Sequence, residues 1–162
     1  MAEVLLALGS NLGKRLANLK NALALLEEQA AILAVSPVYQ TEPVGIKEQP
    51  WFVNQTARIE TALAPLPLLA FLKEIERRMG RESSERNGPR IIDLDILFYE
   101  NLVLKTPELT IPHPRLAERR FVLEPLSEIA GEFLHPELGL SVRELKARLA
   151  EGEWAVKLNE GE

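Results

Sequence analysis

Two aspartates one residue apart, Asp93 and Asp95, sit inside the apolar run IIDLDILFY, and the turn RNGPR leads straight into them. Alternate residues of a strand share a face. Asp93 and Asp95 therefore point the same way with Cα atoms ~7 Å apart, while Leu94 and Ile96 point the other way, into a core. Carboxylates this close repel unless they are protonated or bridged by cations. Mg²⁺ takes carboxylate oxygens together with substrate phosphates, and a pair of such ions clamps a transferring phosphoryl group. Arginine adds permanent charge and two-pronged contacts to phosphate. An isolated D-x-D is short and common, and by itself reads as a solvated strand face. The arginines beside the Gly88-Pro89 turn move the reading to phosphoryl chemistry.

Other candidates are weaker alone. GSNLGKR (9–15) is one residue short of a Walker loop and lacks the Ser/Thr after the lysine, so it reads as a helix start capped by Ser10 or Asn11. His113, held between prolines in IPHPR, is either an exposed turn residue or a donor to a phosphate oxygen. His135, in FLHPELG, has no supporting neighbours and reads as a loop residue. The two histidines lack metal-ligand spacing, which disfavours zinc. Phe52 and Asn54 share a strand face, and Phe121 follows a basic segment. Core packing is the ordinary role of a lone phenylalanine. Lining a cleft, the two rings would sandwich a flat heterocycle whose amide edge Asn54 reads.

The elements that must position these groups follow from periodicity. VLLALGS (4–10) reads as a buried strand, and Leu12, Leu16, Leu19, Leu23 and Leu26 mark one face of a helix running to about residue 29. AILAVSPVYQT (31–41) reads as a strand interrupted at Pro37, and WFVNQTARIET (51–61) as another. Pro65 and Pro67 open a second helix with the stripe Leu68, Leu72, Ile75 and Met79, closed by Gly80. After the strand 91–99, Glu100-Asn101 is expected to turn it into a hairpin with LVLKT. TIPHPRL (110–116) is expected to be irregular. Short helices are expected near 115–123 and 141–150, the latter with a Ser141/Glu144 capping box, and WAVKL (154–158) reads as a last short strand. The order β-α-β-β-α-β plus a C-terminal extension predicts an α+β, ferredoxin-like split-βαβ fold. Its sheet is antiparallel with both long helices on one face.

The chain has 162 residues, 46% hydrophobic and 27% charged, which predicts one domain over 1–162. It contains no cysteine, which excludes disulfides, thiolate zinc sites and a cysteine nucleophile. The start MAEVLLALGSN has no basic segment and too short an apolar run for a signal peptide or membrane span. A cytoplasmic protein without membrane partners is therefore expected. The net charge of −5 argues against nucleic acid. Residues 73–90 nevertheless carry six Lys/Arg against four Asp/Glu, and 113–120 three Arg against one Glu. Such basic islands on an acidic chain suit a small polyanion. At this level the readings are a two-metal nucleotidyl or phosphoryl transferase and a non-catalytic ligand-binding module of ferredoxin-like type.

ALGSNLG, TEPVG, QPWFVN, IERRMGR, RNGPRIIDLDIL, TIPHPRL and RRFVLEPL together resemble the 6-hydroxymethyl-7,8-dihydropterin pyrophosphokinase family over nearly the whole chain. The resemblance implies transfer of pyrophosphate from the co-substrate ATP to the pterin hydroxymethyl group, with release of AMP, in folate biosynthesis. It implies two Mg²⁺ on Asp93 and Asp95, with Asp93 also near the pterin, and Arg81 and Arg90 on the triphosphate and the charge that develops on transfer. His113 and Arg119 would hold ATP phosphates. Glu76, Ile96 and Thr110 would lie along the nucleotide. Phe52 and Phe121 would stack on the pterin, and Asn54, Thr41 and the Val44 backbone would bond its polar edge. Stretches 44–50 and 81–90 would close as lids that exclude water. Small-molecule substrates and a monomer are implied. Departures from the family pattern are Asn87 where tryptophan is frequent, Phe52 in place of tyrosine, and a shortened 81–90 stretch with Ser83-Ser84 in place of a basic cluster.

Overall fold

The computed structural model of the protein describes residues 1–41, 51–80, 90–149 and 155–158. A six-stranded sheet carries the chain. β1 (Ala2–Ser10) lies between β4 (Phe52–Thr61) and β5 (Asp93–Tyr99), antiparallel to both. The other edge of β4 is shared by two short strands. β2 (Ala30–Val35) runs beside Ala57–Thr61, and β3 (Tyr39–Thr41) beside Phe52–Asn54. The gap between them is Ser36–Pro37–Val38, as a proline without an N–H dictates. β8 (Ala155–Lys157) pairs outside β3. The expected ferredoxin-like order is therefore present, with the C-terminal strand as an added edge.

Helices α1 (Arg15–Leu26) and α2 (Pro65–Arg78) pack together on one face. There Val4, Leu6 and Leu8 of β1, Val53, Ala57 and Ile59 of β4, and Leu94 and Ile96 of β5 meet Leu19, Ala22, Leu26, Leu68, Leu72 and Ile75. Strand alternation sends the intervening residues to the opposite face. That face is covered by α3 (Arg120–Ala130) and α4 (Val142–Ala147), over Leu5, Leu97 and Phe98. No described helix is long and apolar enough to cross a membrane.

Four local expectations are corrected. The Glu100-Asn101 turn forms, with Glu100 at φ 49°, but it does not make a hairpin with β5. Instead β6 (Leu104–Lys105) pairs with β7 (Thr110–Ile111), so part of TIPHPRL is strand, followed by a cis Ile111–Pro112 peptide. Neither Ser10 nor Asn11 caps α1. The helix begins at Arg15 without a side-chain cap, and Leu12 is exposed before it. Ser10 stays in β1, and Asn18 Nδ2 donates back to Ser10 Oγ and the Leu12 carbonyl. The short helix expected over 115–123 is a 3₁₀ turn at Leu116–Glu118 followed by the longer α3. The Ser141/Glu144 capping box forms as expected, with both reciprocal bonds present.

Candidate active site

Register places Asp93 of β5 opposite Gly9 of β1, Gly9 opposite Asn54 of β4, and Asn54 opposite Tyr39 of β3. The next row is Asp95, Ala7 and Thr56. All of these lie on the α3 side of the sheet, the reverse of Leu94 and Ile96 in the α1/α2 core. The shared face expected for Asp93 and Asp95 is thus present, and both are half-buried.

Asn54 and Thr41 come together: Asn54 Nδ2 donates to Thr41 Oγ1 at 2.7 Å, and both residues are buried. Phe52 lies two residues before Asn54 and faces the same way. Gly9 completes this polar row by being absent as a side chain. A Cβ there would sit 3.0 Å from Asn54 Oδ1 and 3.6 Å from Phe52 Cδ1. Glycine therefore leaves space above the sheet between Asp93 and Asn54. Sequence reading missed this role, because a glycine in an apolar strand carries no signal of what lies beside it.

The electrostatics converge on Asp95. Burial pushes its carboxyl up to about 7; the neighbouring Asp93 and Glu76 carboxylates act in the same direction, and Arg119 and Lys73 offset them only in part. A carboxylate held this way is short of positive charge. Among the described residues no three His, Cys, Asp or Glu side chains form a metal cage. Two carboxylates nevertheless fit Mg²⁺, which completes its octahedron with water and substrate phosphates.

Glu76 is 4% exposed and faces β5 from α2, where its Oε2 accepts the Leu94 backbone N–H at 2.8 Å. It braces the strand that carries the aspartates. The 110–116 segment runs along β5, and the His113 N–H donates to the Leu97 carbonyl at 3.0 Å. Burial lowers the His113 imidazole to about 4, with Arg119 acting in the same direction and Asp93 opposing. Its Nδ1 accepts the Arg115 N–H at 3.2 Å, so the neutral ring carries its proton on Nε2 and offers a donor there. Arg119 lies with Cζ 5.4 Å from the centroid of the Phe121 ring. Ile96 has its side chain in the core, 3% exposed, so only its backbone is available beside the site. Thr110 is half-buried in β7.

The structure thus gathers Asp93, Asp95, Glu76, His113 and Arg119 along β5, and Asn54 with Thr41 across the sheet. Arg81, Val44 and the stretches 44–50 and 81–89, including Ser83, Ser84 and Asn87, lie outside the described residues. Arg90 is described, and its backbone is fixed from both sides: its N–H donates to Asn11 Oδ1 at 2.7 Å, and its carbonyl accepts the Asn11 N–H at 3.0 Å. Asn11 is fully buried. Its local signal as a cap is outweighed by this partner far along the chain. Arg15, the first residue of α1, donates to the Trp51 carbonyl at 2.6 Å and fixes the entry to Phe52. Lys73 adds positive field near Asp95 from α2. None of Gly9, Asn11, Arg15 or Lys73 is marked as a site residue by sequence spacing, because each acts through a non-local neighbour.

Residues 5–131 match the family model described as 7,8-dihydro-6-hydroxymethylpterin-pyrophosphokinase (HPPK). The chain is 46% identical over 129 residues to the 2-amino-4-hydroxy-6-hydroxymethyldihydropteridine pyrophosphokinase of Bacillus subtilis, covering 78% of this chain and 77% of that protein. It is 39% identical over 146 residues to the protein of the same name from Aquifex aeolicus, covering 90% and 91%. It is 46% identical over 149 residues to the folic acid synthesis protein FOL1 of Dictyostelium discoideum, covering 92% of this chain and only 23% of that much longer protein. In three dimensions it is similar to the crystal structure of wild-type Plasmodium falciparum HPPK-DHPS with SDX-DHP, with a TM-score of 0.72 at 19% identity, covering 91% of this chain and 43% of that one. The chain therefore belongs to the 7,8-dihydro-6-hydroxymethylpterin-pyrophosphokinase (HPPK) family.

Proposed function

We propose that this chain transfers the pyrophosphoryl group of ATP to 6-hydroxymethyl-7,8-dihydropterin in folate biosynthesis. The hydroxymethyl oxygen attacks the β-phosphorus and gives up its proton, which is released to solvent; the bond from that phosphorus to the α,β-bridging oxygen breaks, and AMP leaves. The observation that supports this most strongly is the row Asp93–Gly9–Asn54. It sets a polar recognition edge beside the two aspartates, of which Asp95 is held above its usual range, with Arg119 and His113 nearby.

In this reading the pterin lies over Gly9. Asn54, Thr41 and the Val44 backbone bond its amide edge, and Phe52 and Phe121 stack on its faces. Asp93 and Asp95 would hold two Mg²⁺, which when bound would supply charge to neutralise the triphosphate and to acidify the attacking hydroxyl. The His113 Nε2–H, Arg119, Arg81 and Arg90 hold phosphate oxygens and the charge that develops on transfer. Thr110 and the Ile96 backbone flank the nucleotide, with Glu76 fixing β5 beneath them. In-line transfer depends on positioning and charge more than on covalent help from the protein. The protein acts in this reading as a cytoplasmic monomer, one domain over 1–162.

The test is incubation with Mg²⁺, ATP and the hydroxymethyl-dihydropterin, separating nucleotide and pterin products. AMP and pterin pyrophosphate in equal amounts are expected. ADP as the nucleotide product, or no product, would overturn the assignment.

A further inference from the structure

A cleft of about 520 Å³ opens on the α3 side of the sheet at the end away from Asp93, between β1, β4, the end of β5 and the last turn of α3. Its volume is in the range of small-molecule pockets. Leu5, Phe98 and Phe133 make an apolar floor, with the two rings 4.6 Å apart between centroids. Arg58 of β4 lines the same cleft, and its Nε is buried without a hydrogen-bond partner. The guanidinium of which it is part belongs to the cleft wall, directly opposite Leu5.

The other charges are distributed unevenly. Glu132 is paired with Arg143, and Glu128 accepts from Tyr39 and Lys157. Glu3 and Glu100 remain at the mouth, where Glu100 accepts the Glu3 backbone N–H at 3.1 Å. Leu5 is directly opposite Arg58 in the β1–β4 register, which makes Glu3 a diagonal neighbour of Arg58. Such neighbours are ~7–8 Å apart. A simple anion reaching Arg58 would pass two carboxylates, and a simple cation held by them would leave the Arg58 guanidinium without a counter-charge. A molecule with both charges satisfies both ends.

We propose that this cleft is a second ligand site, separate from the substrate site, that binds a small zwitterion with an apolar body. The class is a free amino acid of the phenylalanine or leucine type. Its carboxylate meets Arg58, its ammonium meets Glu3 and Glu100, and its side chain lies on Leu5, Phe98 and Phe133. No bond is made or broken.

The experiment is titration of the full chain with L-phenylalanine, followed by ¹⁵N NMR. Benzoate and phenethylamine serve as half-ligands lacking the ammonium or the carboxylate. Expected are shifts of the Arg58 Nε–H and of the amides of β4 and residues 127–133. Each half-ligand and the variant Arg58→Met should bind at least about tenfold more weakly, a loss of one charged contact. Glu3→Gln, at an exposed residue, should weaken binding severalfold and carries the test if Arg58→Met does not fold. The proposal is overturned if these signals do not move, if the shifts cluster instead around Asp93, if benzoate binds as well as L-phenylalanine, or if both variants bind like the parent chain.

Discussion

The sheet presents two faces built from the same three long strands, and they differ in what they leave unsatisfied. Beneath α1 and α2, Leu6, Leu8, Val53, Ala57, Ile59, Leu94 and Ile96 close an apolar layer. The polar group that enters near it from α2, Glu76, is matched by the Leu94 N–H. On the reverse face, Asp95 is held above its ordinary range by burial and by Asp93 and Glu76, and Thr56 Oγ1 is buried without a partner. Both faces bury apolar side chains, but only the second also holds charge in an arrangement that folding alone does not favour. Strand alternation separates the two at a spacing of one residue, so Asp95 and Ile96 serve opposite ends.

That contrast can be broken by substitution. The largest effect is expected from Asp95→Asn: turnover should fall by at least about 10³-fold, or ~4 kcal/mol of transition-state stabilisation. Its melting temperature at pH 7 to 8 should rise at the same time, because a buried charge is removed. A lower melting temperature, or preserved turnover, would contradict the division. Leu72→Ala on the other face should do the reverse, costing ~2–5 kcal/mol in denaturant unfolding while leaving KM for ATP unchanged in the folded protein.

A smaller effect is expected at the boundary. Gly9→Ala adds a methyl group 3.0 Å from Asn54 Oδ1. It should raise KM for the pterin by about tenfold with little change in KM for ATP, the size of a lost or displaced hydrogen bond. Equal changes in both would mean that the substitution tilts the whole strand.

The smallest effect concerns acid. His113 is held near 4 in the folded protein, below its ordinary value near 6.5. The unfolded chain takes up that proton first as pH falls, so its contribution to stability declines between about 6.5 and 4. Asp95 is shifted upward to about 7. The folded state takes up that proton first, so acidification through the same window stabilises it. The two contributions oppose each other in the parent chain. In Asp95→Asn the acid decline should be steeper by thermal melts from pH 7 to 4, and an unchanged slope would remove Asp95 from the balance.

Much of this was legible in the sequence because it is local. Apolar periodicities of two and three to four residues marked the principal strands and the first two helices. The D-x-D spacing marked the shared face, and Ser141/Glu144 marked a cap. What failed was pairing. Glu100-Asn101 announces that the chain reverses, but not which strand receives it. The 110–113 segment took the place beside β5 that the expected hairpin would have filled. Asn11 has the composition of a cap, yet its amide is taken by Arg90. Gly9 and Glu76 become informative only once Asn54 and the Leu94 N–H stand next to them.

The register between β1 and β5 has a consequence for how the protein is made. Leu8 pairs with Leu94, and Gly9 with Asp93, so the first strand of the chain waits for one near its middle. Pairings this distant in sequence form slowly. A chain emerging from the ribosome therefore has β1, β4 and both long helices in hand before any aspartate pair exists. The earliest compact forms would carry an open β1 edge and no place for a triphosphate. Synthesis past residue 99, rather than collapse of the first layer, is what brings the face with the paired aspartates into being.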